Sequence, residues 1–246
     1  MDEGLHPIKI NRTQGNENRE VDDVVAVEAP LEIQIQHFTE DKPTAISVTM
    51  RTPGDDEELA LGFLFTEGLL RDYSQVKAVK YHGENIVKVY LQEGVQVELQ
   101  SVERNFYTTS SCGVCGKASI EAITTKTQYK IDHKAELKDE VLFTLKATLA
   151  VQQSLFSATG GIHAAALFSE EGNLILMHED VGRHNALDKL IGEAFRSQKL
   201  PLRHGILLLN GWHRNYCFGR SPKQFGRRTR QREWADFDWI FEGSEL

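Results

Sequence analysis

The chain of 246 residues holds only three cysteines and has no tryptophan before Trp212. So little cysteine, odd in number, excludes a disulfide-stapled secreted scaffold and suits a reducing compartment. No apolar run approaches the roughly 18 residues that a membrane-crossing helix needs. The opening MDEGLHPIKI also lacks the basic-then-apolar order of a secretory signal. Surplus basic charge is missing too: 28 Lys and Arg stand against 36 Asp and Glu, a formal net charge of −8. That balance argues against a general nucleic-acid binder, whose electrostatic footprint is basic. The expected address is cytoplasmic, with neither nucleic acid nor membrane as a partner.

What cysteine there is, is concentrated. Cys112-Gly113-Val114-Cys115-Gly116 follows the polar stretch Thr108-Thr109-Ser110-Ser111. Glycines at 113 and 116 leave backbone N–H groups open to a thiolate, and such partial positive charge lowers a thiol pKa toward neutrality. The pair therefore reads first as reactive sulfur. A closed zinc site needs four ligands, and no second C-x-x-C exists, so His163, His178 and His184 would have to complete it across the fold. A thioredoxin-like dithiol calls for an apolar strand before the motif, which is absent. Inert thiols usually sit among apolar neighbours. The three alternatives stay open at this point.

Residues 1–22 are polar and aperiodic, so a disordered arm is expected, with order beginning at Val24. Val24–Val27, Leu31–Ile35 and Ala45–Met50 have strand character and are expected to form a small antiparallel sheet. After the turn Arg51-Thr52-Pro53-Gly54, Asp55 or Asp56 is placed to cap a helix opening at Glu57. That helix is apolar around much of its circumference and is expected between sheets. Strands near Val76–Val79, Ile86–Leu91 and Val95–Leu99 follow, then the cysteine loop. A helix over Val141–Gln153 carries Leu142, Leu145, Leu149 and Gln152 on one stripe. Two strands, His163–Phe168 and Asn173–His178, lead into a turn and a helix with Ala186, Leu187, Leu190 and Ile191 inward. Gly205–Leu209 reads as a buried central strand.

The turn Glu179-Asp180-Val181-Gly182-Arg183-His184-Asn185 gathers two acids, an arginine, a histidine and an amide at one strand end, where α/β sheets often place ligand crevices. Arg183 offers a planar fork for phosphate, and His184 can move a proton near neutral pH. Asp180 can cap the helix or orient His184. A plain capped helix start with a surface ion pair explains the same residues equally well.

Four separated motifs, in order, resemble the FdhD family: Arg51-Thr52-Pro53-Gly54 with Leu61–Gly68, Ser111–Gly116, Thr159–Ala165 and Glu179–Lys189. The resemblance runs from about residue 24 to Gly211. It implies an α/β (α+β) architecture, with a small N-terminal mixed α/β sheet domain over 23–107 and the C-x-x-C sulfur-carrier loop over 108–117. A cytidine-deaminase-like three-layer α/β domain, truncated here, would fill 118–211. No H-x-E precedes a P-C-x-x-C, so the deaminase zinc and its acid are lacking. The implied function is a sulfurtransferase required for formate dehydrogenase. A cysteine desulfurase hands sulfur to Cys112 as a persulfide, with Cys115 as helper. The sulfur then passes to the molybdenum or tungsten bis-(molybdopterin guanine dinucleotide) cofactor before insertion into apo-formate dehydrogenase. Arg183 and His184 are the candidates for contacting that cofactor, which is a substrate and not a resident group. No metal is expected, and the family implies a homodimer. A noncatalytic assembly factor bridging desulfurase and apo-enzyme is the alternative.

The resemblance stops after Gly211, and residues 212–246 are expected to form an aberrant, poorly ordered tail. All three tryptophans and the run Gly226-Arg227-Arg228-Thr229-Arg230-Gln231-Arg232 fall there. Back-translated with one choice of codons and read displaced by one nucleotide, Glu233–Gly243 becomes N-G-L-T-L-I-G-F-L-R-G. Arg220–Thr229 likewise becomes G-A-P-S-N-L-A-V-E-L. Both match the family's usual ending, so a frameshift near Trp212 is expected. Loss of the closing strands would leave a sheet edge unpaired beside Leu207-Leu208-Leu209 and impair cofactor binding, which the family's F-L-R-G segment serves.

Overall fold

The computed structural model describes residues 3–14, 17–40, 42–97, 139–202, 205–210, 215–218 and 237–238. The chain begins with an antiparallel ribbon of β1 (Leu5–Gln14) and β2 (Glu17–Ala26), in register from Leu5↔Ala26 to Gln14↔Glu17. This replaces the expected disordered arm. Both faces of the ribbon are largely solvated, so its strands carry no strong apolar alternation to reveal them. They are tied instead by backbone pairing and by polar links across it, Lys9 Nζ to Glu20 Oε1 at 2.9 Å and Thr13 Oγ1 to Asn18 Oδ1 at 2.6 Å. The one legible signal is the pair Gly15-Asn16 between the paired ends, a dipeptide of the tight-hairpin type.

The first sheet has the order β4-β3-β6-β5, from β3 (Ala29–Gln36), β4 (Thr44–Arg51), β5 (Val76–Tyr81) and β6 (Ile86–Leu91). It is mixed, not antiparallel throughout: β3 runs antiparallel to β4 but parallel to β6. Val24 and its neighbours belong to the ribbon and not to this sheet. Alternation in β3 buries Leu31, Ile33 and Ile35 against Leu59, Leu61 and Leu64 of α1 (Asp56–Thr66). Val95–Val97 are not in a strand, and residues 98–138, with the cysteine loop, lie outside the described part.

The second sheet, β11-β10-β9-β7-β8, follows α2 (Asp139–Gln152) and the short α3 (Ser154–Thr159). Its strands are β7 (His163–Ser169), β8 (Leu174–Asp180), β9 (Gly205–Asn210), β10 (Asn215–Phe218) and β11 (Phe237–Asp238). On one face Leu142, Leu145 and Leu149 of α2 bury Ala164, Ala166, Phe168, Ile206 and Leu208. On the other, α4 (Arg183–Arg196) covers Ala165, Leu167 and Leu176 with Ala186, Leu190 and Ala194. The α2 stripe ends differently from expectation: Gln152 is exposed and Gln153 is buried. The expected helix between sheets is found as a pair, with α1 and α4 packed together and each covering one sheet. The edge beside Leu207-Leu208-Leu209 is not left open. Asn215–Phe218 pairs antiparallel with β9, with β11 parallel beyond it, so the divergent tail supplies backbone partners of its own.

Candidate functional site

Gly54 and Asp55 both adopt left-handed backbone, at φ 105° and 55°, folding the chain sharply between β4 and α1. That turn delivers the β4 end to the end of β8, where a buried polar network joins the two sheets. Asp180 is fully buried and accepts from Thr52 N at 3.1 Å, Gly182 N at 2.8 Å and Asn185 Nδ2 at 3.1 Å. Its counter-charge is Lys189, also buried, at 2.8 Å. The ammonium spends its other donors on the carbonyls of Thr52 (2.9 Å) and Glu179 (3.3 Å). Thr52 Oγ1 accepts from Val181 N at 3.0 Å, and Asn185 Nδ2 also reaches the Met50 carbonyl at 2.7 Å. Beneath it, Arg51 grips Asp56 with two bonds, 2.9 and 2.7 Å.

Two sequence expectations are corrected here. Neither Asp55 nor Asp56 caps α1 through its side chain: the N-cap Asp55 makes no cap bond, and Asp56 is taken by Arg51. Asp180 neither caps α4 nor orients His184. The N-cap is Gly182, and Asp180 holds Gly182 and Asn185. Thr52 and Lys189 were legible only as members of recurring motifs. A lysine at i+9 from an aspartate across a turn and helix gives no sequence sign of pairing.

His178 makes a second link between the halves. Its Nδ1 meets Asp55 Oδ2 at 2.9 Å and its Nε2 meets Glu193 Oε2 at 2.7 Å. Burial alone lowers its pKa, but hydrogen bonds and charge attraction from Asp55 and Glu193 outweigh it, and the net shift is upward. A folded pKa raised above the ordinary 6.5 means that the imidazolium's contribution is complete below about pH 6.5. It is lost as pH rises through the raised value. The expected result is that the stability difference between the natural chain and His178→Asn, from urea unfolding, shrinks between pH 6 and 8.5. A difference that stays level or grows contradicts the charged bridge.

The predicted pair Arg183 and His184 forms the exposed first turn of α4, a 14-residue helix whose N-terminal end favours anions. The structure adds His163, which stands directly across from Asp180 in the β7–β8 ladder. His163 Nδ1 contacts the Asn210 carbonyl at 3.3 Å, and since a carbonyl only accepts, that nitrogen carries the proton and Nε2 keeps a lone pair when neutral. Burial lowers the His163 pKa, the Asn210 bond opposes, and Arg183 lowers it further, for a net downward shift. His184 is also shifted down, by partial burial and then by Arg183 and His163. The trio is thus one guanidinium with two imidazoles biased to neutrality: an arrangement that attracts an anion and accepts or returns a proton. Of the histidines in the zinc alternative, His178 is committed to Asp55 and Glu193. No group of three His, Cys, Asp or Glu side chains able to hold a metal gathers among the described residues. Cys112 and Cys115 lie outside them.

The FdhD/NarQ family model matches residues 26–212. The chain belongs to this family. That span includes both cysteines of the loop, the turn after β4 and all of α4, and it ends where the sequence pattern breaks. Relatives named Sulfur carrier protein FdhD include one from Streptomyces avermitilis, 46% identical over 200 residues, covering 77% of this chain and 69% of the relative. Another from Sulfolobus acidocaldarius is 40% identical over 207 residues, with 84% and 76% covered. A crystal structure from Desulfotalea psychrophila, assigned as a formate dehydrogenase accessory protein, superposes with a TM-score of 0.59, covering 88% of this chain and 75% of that one. At 21% identity it shows the fold, a mixed α/β arrangement. No described helix is long and apolar enough to cross a membrane.

Proposed function

We propose that this FdhD-family chain is a sulfur carrier serving formate dehydrogenase. The observation that carries the reading is the family match across Cys112 and Cys115, in a chain 37–46% identical to relatives named as sulfur carriers. The Cys112 thiolate attacks the terminal sulfur of a donor persulfide, the work of a cysteine desulfurase. The donor S–S bond breaks, a Cys112 persulfide forms, and the donor leaves as a thiolate with the electron pair. No external oxidant is consumed. Cys115 assists release or guards the persulfide against over-oxidation. The receiving substrate is the anionic molybdenum or tungsten bis-(molybdopterin guanine dinucleotide) cofactor, before its insertion into apo-formate dehydrogenase. Its phosphates suit Arg183, His184 and the α4 N-terminus.

Incubation with a desulfurase and cysteine is expected to add about 32 Da, one sulfur atom, to the natural chain and nothing to Cys112→Ala. In a strain lacking the factor, Cys112→Ala is expected to restore no formate dehydrogenase activity. A Cys112→Ala chain as active as the natural one removes the carrier assignment. Complementation with the reading frame restored after Gly211 reports what the divergent tail costs.

A further inference from the structure

The outer face of the first sheet is basic and aromatic in a chain whose net charge is −8. Its four strands carry Lys77, Lys80 and Lys88 but a single acid, Glu32, whose carboxylate accepts from Gln34 Nε2 at 2.7 Å. Lys80 and Lys88 are directly opposed on β5 and β6, a like-charge placement that costs stability in an isolated sheet. Tyr90 lies within reach of both, with its ring centre 5.8 Å from Lys80 Nζ and 5.9 Å from Lys88 Nζ. Its hydroxyl is fixed by His82 at 2.8 Å. Lys77 stands 5.1 Å over the ring of Phe38, which is half exposed. None of the three lysines has a carboxylate partner among the described residues. Along β4, Val48 and Met50 add exposed apolar surface, 64% and 48% accessible, to the same face.

We infer that this face is a docking surface for an acidic, partly apolar segment of the apo-enzyme that the carrier serves. Lysines held over aromatic rings, with no carboxylate partner among the described residues, supply the charge that selects a carboxylate-rich partner. Val48 and Met50 supply the apolar contact that interface centres need. Arg183 and His184 belong to α4, which covers the second sheet, so the lysines of this face and the candidate cofactor contacts stand on different elements. The choice of partner rests on the carrier reading.

The test uses the full chain, apo-formate dehydrogenase and calorimetric binding at two salt concentrations. Charge reversal at Lys77, Lys80 and Lys88 to Glu is expected to weaken binding by about tenfold or more, and the natural chain's binding is expected to fall with salt. The milder Lys80→Gln, Lys88→Gln variant, which cannot be blamed on misfolding if its melting is unchanged, is expected to weaken binding in the same direction. Zero-length carbodiimide coupling is expected to join Lys80 or Lys88 to Asp or Glu of the apo-enzyme. Persulfide gain at Cys112 is expected to be unaltered in both variants. Equal binding by both variants overturns the docking surface, as does absence of binding by the natural chain or coupling only to a second copy of itself. Loss of persulfide gain in the natural chain instead defeats the carrier reading, which keeps the two failures apart.

Discussion

An Asp180→Ala chain is expected to lose about 3–5 kcal/mol of unfolding free energy, the cost of stranding a buried charge. At a urea slope of about 2 kcal/mol/M the midpoint falls by roughly 2 M. The carboxylate has no solvent access and takes four hydrogen-bond or ionic contacts, two from backbone amides. Removing it leaves the Lys189 ammonium buried with only the Thr52 and Glu179 carbonyls to solvate it. It also releases Thr52 N and Gly182 N, so the turn after β4 and the entry to α4 lose their common anchor. The damage is not confined to stability, because α4 carries Arg183 and His184 on its first turn and β8 carries His178. A chain with both Asp180→Ala and Lys189→Met is expected to be more stable than Asp180→Ala alone, since no charge remains stranded. If the double variant is as unstable as the sum of the singles, the pair's charge is not what the network depends on.

Local pattern revealed those elements whose burial is one-sided. The strict alternation of Leu31, Ile33 and Ile35, and the stripe of Leu142, Leu145 and Leu149, each record a single packed face, and both are found as expected. β1 and the first part of β2 escaped notice because most side chains of the ribbon stay solvated on both faces, while only Val24 and its neighbours carried a strand signal. The parallel pairing of β3 with β6 escaped for another reason: more than 45 residues separate Ile33 from its partner Val87, and strand order is set by what each face covers, not by local pattern. At the site, the residue types of the Glu179–Asn185 turn were legible, but their roles were not. Asp180 looked like a cap because it stands just before a helix start in sequence, whereas its counter-charge, Lys189, reaches it from two turns into α4. His163 read from sequence only as a candidate zinc ligand until β-pairing placed it opposite Asp180.

The contact between α1 and α4 sets the largest packing effect. At Gly62 an added Cβ would lie 1.8 Å from the Asp188 carbonyl oxygen, and at Gly192 one would lie 1.8 Å from that of Glu58. Both obstacles are backbone, so no rotamer change relieves them, and the helices must move apart. In a solvated helix interior, replacing glycine by alanine gains about 1 kcal/mol from propensity. Here the sign reverses: Gly62→Ala or Gly192→Ala is expected to lose about 3 kcal/mol, the upper end of ordinary overpacking. Separation of the helices also draws Arg196 of α4 away from Glu57 and Glu58, which it bonds at 3.1 and 2.9 Å, and His178 of β8 away from Asp55 at the start of α1, 2.9 Å off. The two substitutions act at one crossing, so together they are expected to cost less than their sum, because the first alanine already opens the space the second needs. Urea unfolding of the three variants reads this directly. Additive losses would mean that the glycines act at separate contacts, and a stabilised Gly62→Ala would mean that the helix backbones do not touch there.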